Sequence, residues 1–477
     1  MDKHLIDMDK PPDKPRVGIL GLTLEFYEEA APGLREDREA WVRSTISPAL
    51  EAVADVSFTK AVCRREEIDE VVAGYESTGV DLLLVVCLTY TPSQLALPVL
   101  KRTRLPILLW NTQELYGVGE DYDGQKMSAN HGVHGSQDLA NVLLRSGVRF
   151  KYITSHLRDA KVLDSFLDFF QAAVTVSGLR GLGLGLLGYP FPGMGDFAVD
   201  TTDLVDKFGC RVMQLPLGEY IGLTEAAPED EVDGLCTCYR DSFDVAKDVA
   251  DKDLEDAARA EWALREMLSR RRLQAFSYQF LAFGEDERVV TVPFIAACRM
   301  MADGIGFGGE GDLIGATGTW LLNRLQGPAS FSEVFSVDFE GNGLLMSHMG
   351  EANVAMARGD RKVRLVAKSK PLVPIRGRQL SLATTLEPGP ATLAALTIGP
   401  ERRWRLIASR MQIEDFGPLS TMEVPHFKLS PHNVDVRDWL TAYAMASGPH
   451  HNAICFGDAR ARISAVADIL DIEYCEV

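Results

Sequence analysis

From Arg16 to about residue 327, short apolar runs alternate with amphipathic stretches, and this alternation most constrains the fold. Strands and helices that alternate in this way form βαβ units, which build a parallel sheet. The runs VDLLLVVCL and LPILLW are apolar at nearly every position, as expected of strands that helices cover on both faces. The sequence therefore predicts an α/β protein with doubly wound, Rossmann-like sheets.

The pattern changes after Gly327, where strand-like runs are separated by Gly and Pro turns. Such runs predict a mostly antiparallel, barrel-like β domain. A chain of 477 residues is also too long for one hydrophobic core. We therefore expect an N-terminal α/β domain at residues 1–178, a central α/β domain at 179–327 and a β-rich C-terminal domain at 328–477.

The chain is acidic, with 49 Lys and Arg residues against 68 Asp and Glu residues and a formal charge of −19. Most of its surface therefore repels nucleic acid and anionic lipid, although a local basic pocket for an anionic substrate is not excluded. The segment MDKHLIDMDKPPDKPR lacks the apolar core of a signal peptide, and no run reaches the ~18 apolar residues of a membrane helix. We expect a cytoplasmic protein without nucleic acid or membrane partners.

The cysteines lie mostly in apolar runs, which predicts buried free thiols in a reducing compartment. Cys236 and Cys238 form a C-x-C pair of the kind that binds metals, but no second pair lies nearby, so we favour the thiol interpretation. The cysteines are Cys63, Cys87, Cys210, Cys236, Cys238, Cys298, Cys455 and Cys475.

Three segments carry residues suited to chemistry. The first is GIGFGGEGDLIGA, in which glycines leave the carboxylate of Glu310 uncrowded. The alternative is a helix N-terminus that Glu310 or Asp312 caps.

The second segment is SFSEVFSVDFEGNGLLMSHMG, where Glu333 and His348 are nearly symmetric about a predicted hairpin turn, so that the two side chains can converge. The alternative is a surface ion pair.

The third segment is SGPHHNAICFG, in which two histidines precede an apolar strand. Neighbours in a strand point to opposite faces, so only one of His450 and His451 need face a given pocket. Together the three segments supply two carboxylates and two imidazoles, a set that suits Mn²⁺, Co²⁺ or Mg²⁺. The absence of thiolates from this set argues against a closed structural zinc site.

These segments resemble the metal-binding segments of the L-arabinose isomerase family: Gly-Phe-Gly-Gly-Glu-Gly-Asp, Ser-Phe-x-Glu, Ser-His-Met and His-His. The resemblance extends to LLWNTQELY, to the Met-x-x-Asn-x-x-x-His-Gly pattern of MSANHGVHG and to the C-terminal VADILDIEYCEV. It therefore covers nearly the whole chain in order. The fold it implies agrees with the one that the apolar pattern predicts.

The resemblance implies a metal-dependent aldose–ketose isomerase of sugars that acts through an enediolate, with a hydride shift as the rival mechanism. It implies that Glu310, Glu333, His348 and His451 bind manganese, with cobalt or magnesium as alternatives, and that the two glutamates form the acid/base pair. We favour Glu333 as the partner that holds the proton, because Val334 and Phe335 follow it. The family assembles as hexamers, which implies that His134 approaches the substrate of a neighbouring subunit. The implied substrate contacts are Thr23, Glu25, His134, Met194, Phe283, Phe335 and His450.

The chain also departs from the family pattern. Near the N-terminus, Thr23 and Glu25 stand where the family has Gln and Leu, and Val334 and Phe335 stand where it has Asp and Tyr. Such changes alter which sugar can bind with all its hydroxyls and all polar groups of the site hydrogen-bonded. The substrate therefore need not be L-arabinose. A deoxy, phosphorylated or sulfonated sugar is one alternative, and a non-catalytic sugar-binding protein on the same fold is another.

Overall fold

The computed structural model of the chain describes residues 14–370, 373–375 and 377–477. The first thirteen residues, which carry most of the segment examined for a signal peptide, lie outside this description. The chain divides into two compact units, Pro12–Ser177 and Gly178–Val477, each of which is described by itself. The division into three domains at residues 178 and 327 stays a prediction.

The N-terminal unit is built on a six-stranded sheet in which every pairing is parallel. Its strands are β1 (Arg16–Leu22), β2 (Asp55–Ser57), β3 (Ala61–Val62), β4 (Leu82–Cys87), β5 (Ile107–Asn111) and β6 (Lys151–Thr154). The order is β2-β1-β4-β5-β6, and β3 also pairs with β1. All six residues of β4 are buried, as its continuous apolar run predicts.

Among the described residues of this unit, α-helices lie between these strands and after the last of them. They are α1 (Tyr27–Ala30), α2 (Leu34–Trp41), α3 (Ser47–Leu50), α4 (Arg65–Thr78), α5 (Ser93–Arg102), α6 (Gly124–Ala129), α7 (Gly132–Arg145) and α8 (Val162–Leu179). A π-helical turn at Val42–Ile46 lies between α2 and α3. Pro48 follows this turn, and because proline has no N–H it cannot continue the regular ladder.

In the C-terminal unit the chain first forms a four-stranded parallel sheet of order β11-β10-β7-β8. These strands are β7 (Gly183–Leu187), β8 (Arg211–Leu215), β10 (Ala275–Tyr278) and β11 (Gly306–Gly308), and the short β9 is Asp244–Val245. The helices are α9 (Thr201–Phe208), α10 (Leu217–Glu225), α11 (Glu229–Ser242), α12 (Asp251–Arg271), α13 (Phe280–Phe283), α14 (Phe294–Ala302) and α15 (Leu313–Gln326).

The rest of this unit is a closed antiparallel barrel, which together with the two parallel sheets confirms the predicted fold class. Six strands pair in the order β16-β19-β12-β13-β18-β17, and β17 pairs back with β16. A separate three-stranded sheet has the order β15-β14-β9, and β20 pairs with β17. The elements are β12 (Ala329–Asp338), β13 (Gly343–Ser347), β14 (Arg364–Lys368), β15 (Gln379–Ala383), β16 (Gly389–Ile398), β17 (Trp404–Ile413), β18 (His426–Pro431), α16 (Val436–Met445), β19 (His451–Phe456), α17 (Arg460–Leu470) and β20 (Glu473–Glu476).

The expectation that no run of the chain matches the length and apolar character of a membrane helix needs correction. Helix α8 is 18 residues long with a mean hydropathy of 1.3, so by length and composition it passes for a membrane span. Half of it is buried inside the protein, however, and the core helix of a folded domain passes the same test. One marginal helix of this kind is weak evidence for a membrane protein.

A buried ion network ties α12 to α14. The carboxylate of Glu261 is fully buried and accepts hydrogen bonds from Arg265 at 2.8 Å, Arg299 at 2.9 Å and the Tyr239 hydroxyl at 2.7 Å. The two arginines keep the pKa of Glu261 below its ordinary value, against the effect of burial. Because α14 begins at Phe294, this network fixes an element that contributes to the site described below.

We predict that Glu261→Ala lowers the free energy of unfolding by about 3–5 kcal/mol, because it removes the buried carboxylate that pairs with Arg299, although Arg265 keeps its ion pair with Asp303 at 2.7 Å. Urea denaturation of the purified protein measures the change. Glu255→Ala, at an exposed position of the same helix, is the control and is expected to change stability by less than about 0.5 kcal/mol. Equal stability of the two variants would contradict a structural role for the network.

Candidate active site

Glu310 lies in a tight turn between β11 and α15. Its φ of 59° is in the left-handed region, which costs a residue with a side chain about 1–2 kcal/mol. Gly309 precedes it, and a Cβ at that position would approach His348 Nε2 to 2.9 Å, so only glycine lets the turn pass this close to the imidazole. The glycines predicted to leave the carboxylate uncrowded therefore also bring the turn against a histidine.

Asp312 has two roles in the same turn. Its Oδ1 accepts a hydrogen bond from the Gly315 N–H at 2.7 Å, which caps α15, and its Oδ2 lies 3.0 Å from His451 Nδ1. The helix-cap alternative considered above therefore applies to Asp312, whereas Glu310 is left to face the barrel. A carboxylate against Nδ1 fixes the imidazole so that its Nε2 is available for another partner.

The barrel strands bring Glu333 and His451 together. Glu333 on β12 pairs with His451 on β19, so their side chains lie on one face. On the other side Glu333 pairs with Ser347, not with His348 as near-symmetry about the turn suggested. A register shift between Val334 and Ser336 offsets the hairpin by one residue, so that His348 follows the end of β13.

The four side chains predicted to bind a metal come together in the C-terminal unit. His451 Nε2 is 3.8 Å from Glu310 Oε2 and 3.8 Å from Glu333 Oε2. Ligand atoms of Glu333, His348 and His451 lie within 4.8 Å of one another, and so do those of Glu310, His450 and His451. His450 also reaches the cluster because it precedes β19, where strand alternation does not separate it from His451.

The residues present fit a divalent cation. His451 Nε2 is buried and has no hydrogen-bond partner among the described residues, although two carboxylates flank it. A buried nitrogen of this kind is costly unless something binds it. A mixed set of carboxylate oxygens and imidazole nitrogens suits a cation such as Mn²⁺.

Two further carboxylates, which the sequence patterns did not single out, orient the other histidines. Glu351 Oε2 lies 2.6 Å from His348 Nδ1, and Glu351 Oε1 accepts a hydrogen bond from the Tyr278 hydroxyl at 2.5 Å. Asp196 Oδ2 lies 2.6 Å from His450 Nδ1. The three-residue spacing of His348 and Glu351 was a weak signal for the first pair, but nothing in the sequence links Asp196 to His450.

Charge and burial shift the titration of these groups. Burial raises the pKa of Glu310 above its ordinary value, although the nearby histidines act against this effect. Burial also disfavours the charged form of His348, but the Glu351 carboxylate overcomes it and raises the pKa of His348 to about 9. The hydrogen bond that the Asp196 carboxylate accepts from His450 raises the pKa of His450 and lowers the pKa of Asp196 to about 2.

A cavity of about 230 Å³ opens beside the cluster. Its polar wall consists of Tyr278, Glu310, Glu333, His348 and Glu351. Its apolar wall consists of Phe280, Phe294, Phe335, Met349 and Val373. Phe335, which we predicted to contact substrate, thus lines the cavity, whereas the other four apolar residues were not singled out from the sequence.

Two other predicted substrate contacts of this unit lie elsewhere. Phe283 is fully buried in the core, with its ring centre 5.6 Å from that of Tyr278, and is not among the residues that line the cavity. Phe280, which begins the same short helix and is only partly buried, lines the cavity in its place. Met194 is half-buried in a turn closed by its N–H on the Phe191 carbonyl at 3.2 Å, and it too is not a lining residue.

Three predicted substrate contacts belong to the N-terminal unit. Thr23 is buried directly after β1. Glu25 is exposed and accepts a hydrogen bond from Arg64 at 2.7 Å. His134 lies on α7, where its Nδ1 is 2.6 Å from His131 Nε2. Their roles toward a substrate stay predictions.

Comparison with known proteins gives matches to one family. The L-arabinose isomerase central domain matches residues 193–324, and the L-arabinose isomerase C-terminal domain matches residues 328–473. The L-arabinose isomerase of Nocardioides sp. is 29% identical over 384 residues, which cover 77% of this chain and 74% of that protein. The L-arabinose isomerase of Acidothermus cellulolyticus is 28% identical over 385 residues, with the same coverage. That of Geobacillus kaustophilus is 25% identical over 401 residues, which cover 81% of this chain and 78% of that protein.

The fold, the carboxylate–imidazole cluster and these matches define the class of the protein as an aldose–ketose isomerase. The resemblance drawn from the sequence motifs is thereby confirmed. The chain belongs to the L-arabinose isomerase family, and identities of 29% and below make it a divergent member.

We predict that Asp312→Asn weakens Mn²⁺ binding about 10–100-fold without loss of fold. Asparagine caps a helix as well as aspartate does, but its amide N–H would face His451 Nδ1 and force the proton onto Nε2, which then cannot bind a cation. Isothermal titration calorimetry with Mn²⁺ and a thermal melt measure the two effects.

Asp200→Asn is the matched control, because Asp200 caps α9 through the N–H of Thr202. It should leave both Mn²⁺ affinity and the melting temperature unchanged. Wild-type Mn²⁺ affinity in Asp312→Asn would contradict the assigned role of the Asp312 carboxylate.

Proposed function

We propose that this chain isomerises an open-chain aldose to a ketose in the cavity beside Glu310 and Glu333. The observation that carries the proposal is the unpartnered Nε2 of buried His451 between two carboxylates, because it combines a cation site with two groups able to move protons. We infer that Glu310, Glu333, His348 and His451 bind the cation and that it is manganese, with cobalt or magnesium as alternatives. The substrate need not be L-arabinose.

A bound cation would supply Lewis acidity to the carbonyl and the neighbouring hydroxyl of the substrate. One glutamate removes the proton from C2, and the other glutamate returns a proton to C1. The hydroxyl proton moves from O2 to O1. The side chain of Glu310 is 13% exposed and that of Glu333 is 20% exposed, so Glu310 is the more enclosed carboxylate. This enclosure favours Glu310 as the group that holds a proton, the reverse of the assignment favoured from the sequence.

The remaining features of the proposal rest on the sequence and on family membership. We propose a cytoplasmic homo-oligomer, with a hexamer as the expected form, in which His134 serves the site of a neighbouring subunit. We expect neither nucleic acid nor a membrane as a partner, because the formal charge of −19 repels both.

We predict that Glu310→Gln and Glu333→Gln each lower kcat by at least about 100-fold, because each removes a group that takes or gives a proton. Ketose formation from a panel of aldoses in the presence of Mn²⁺ measures the effect, and circular dichroism checks the fold. Glu340→Gln, in the exposed turn between β12 and β13, should retain full activity. Unchanged rates in either site variant would refute its catalytic role, and a wild-type protein that binds Mn²⁺ and aldoses without turnover would support the non-catalytic alternative.

A second prediction concerns the fate of the proton at C2. If one glutamate removes this proton to form an enediolate and the other supplies the proton at C1, an aldose deuterated at C2 should give a ketose without deuterium at C1 in ordinary water, since a carboxylic acid exchanges with solvent. Mass spectrometry of the product after a single turnover measures the retention. Full retention of deuterium at C1 would instead favour a hydride shift.

A further inference from the structure

The apolar wall of the cavity is continuous with the hydrophobic core of the C-terminal unit. Phe294 and Val373 belong to that core, and Phe280 and Met349 pack against it. The main chain supports the wall closely, since a Cβ at Gly350 would come within 2.6 Å of the Phe294 ring. Phe294 is 2% exposed and Val373 is 6% exposed. A substrate group that packs against these two side chains therefore loses its contact with water.

The polar wall leaves little hydrogen-bonding capacity for the far end of a sugar. The Tyr278 hydroxyl donates to Glu351 Oε1 at 2.5 Å, and Glu351 Oε2 lies 2.6 Å from His348 Nδ1. Tyr278 and Glu351 are almost fully buried, so their polar atoms are engaged with these partners. Among the described residues that line the cavity, Glu310, Glu333 and His348 remain, and they belong to the proposed cation site. That site serves the carbonyl and the neighbouring hydroxyl of the substrate.

The end of the sugar remote from the carbonyl then meets the apolar wall. A hydroxyl buried there without a partner is unfavourable, whereas a methyl group gains free energy by leaving water. An anionic group is less favourable still, because neither Lys nor Arg is among the described lining residues. The Lys370 ammonium lies 4.8 Å from the centre of the Phe294 ring, but Lys370 is not a lining residue. The wall therefore suits an apolar group better than a hydroxyl or an anion.

We propose that the substrate is an aldose with a terminal methyl group, which is a sugar deoxygenated at the carbon farthest from the carbonyl. The methyl group packs against Phe294, Phe335 and Val373, while the carbonyl end lies at Glu310 and Glu333. The inference rests on the proposed function, because the cation site fixes which end of the sugar reacts. Of the modified sugars considered from the sequence, the wall favours the deoxy sugar over the phosphorylated or sulfonated one.

Matched sugar pairs test this substrate class. The Mn²⁺-loaded protein is assayed with hexoses and their 6-deoxy forms and with pentoses and their 5-deoxy forms, and kcat/KM is corrected for the open-chain fraction of each sugar. In at least one configuration we expect the deoxy sugar to exceed its parent by about 10–100-fold, because an apolar pocket rejects an added hydroxyl by up to about 100-fold. The hexose 6-phosphates form the anionic arm and should react more slowly than their parents.

A hydroxyl added to the wall should reduce the preference for the deoxy sugar. Phe335 is 45% exposed, so Phe335→Tyr adds a hydroxyl without disturbing the core. Val373→Thr replaces a methyl group of the buried wall by a hydroxyl of nearly the same size. Each variant should narrow the preference by about 3-fold or more, through a higher kcat/KM for the parent sugar, because the new hydroxyl pairs with the terminal hydroxyl of that sugar.

Phe339→Tyr is the matched control, because it adds the same hydroxyl outside the cavity. Phe339 lies in the exposed turn between β12 and β13, with the Arg437 guanidinium 4.9 Å from the centre of its ring, and it is not a lining residue. This variant should leave every preference unchanged. A wild type that prefers the parent sugar or the phosphate in every set would overturn the inference and leave the isomerase function standing. An unchanged preference in both Phe335→Tyr and Val373→Thr would do the same.

A binding experiment separates the inference from turnover. The alditols obtained by reducing each sugar pair cannot be isomerised, and calorimetric titration of the Mn²⁺-loaded protein measures their affinities. We expect the methyl-terminated alditol of at least one pair to bind about 10-fold more tightly than its parent, and Phe335→Tyr to reduce the difference. If this difference is observed but no sugar is isomerised, the proposed function fails and the methyl subsite stands. If the two alditols of every pair bind alike, the methyl subsite is refuted.

Discussion

The contact between the Asp312 carboxylate and the His451 imidazole joins the parallel sheet and the barrel of the C-terminal unit at the site. One carboxylate oxygen caps α15 and the other fixes the histidine, and both residues are almost fully buried. In such surroundings a charged hydrogen bond is stronger than in water, and leaving it unmade is more costly. Because Glu310 lies two residues before Asp312, the contact that fixes the helix also fixes the first carboxylate of the cluster.

The backbone at Glu310 supports the view that this turn is kept for function. A φ of 59° is unfavourable for glutamate, and glycine would occupy it without strain. The turn nevertheless carries a carboxylate, flanked by Gly309 and by Gly311 with a φ of 84°. The strain is offset by the cap at Asp312, which holds the turn in place. A residue of this kind in a strained turn beside a cluster of histidines is what a site that needs its carboxylate would retain.

Much of the architecture could be predicted from the sequence because it depends on local patterns. The apolar run of β4 predicted a strand buried on both faces, and the Gly and Pro turns after Gly327 predicted the antiparallel barrel. The cluster of Glu310, Glu333, His348 and His451 followed from motifs, and the structure brings its members together.

The rest depends on contacts between distant segments, which periodicity does not encode. The bulge in β12 changed the partner of Glu333 from His348 to Ser347, since one extra residue shifts every later pair. Asp196 meets His450 across 254 positions of the chain. Phe280 replaced Phe283 at the cavity because the orientation of a four-residue helix depends on the packing around it. The roles of Thr23, Glu25 and His134 toward a substrate stay predictions, and that of His134 concerns an assembly that one chain does not define.

The two ends of the cavity are built differently, and this difference bears on specificity. Glu333 and His451 lie on paired barrel strands, where a change of register would disturb many hydrogen bonds. Met349 and Val373 instead belong to segments between strands, which tolerate substitution more readily. Every aldose that can be isomerised to a ketose presents a carbonyl and a hydroxyl at C2, so the carboxylate–imidazole end can stay constant while the other wall changes. The departure at Phe335 changes a residue of the apolar wall, while Glu333, two residues before it on the same strand, stays in place.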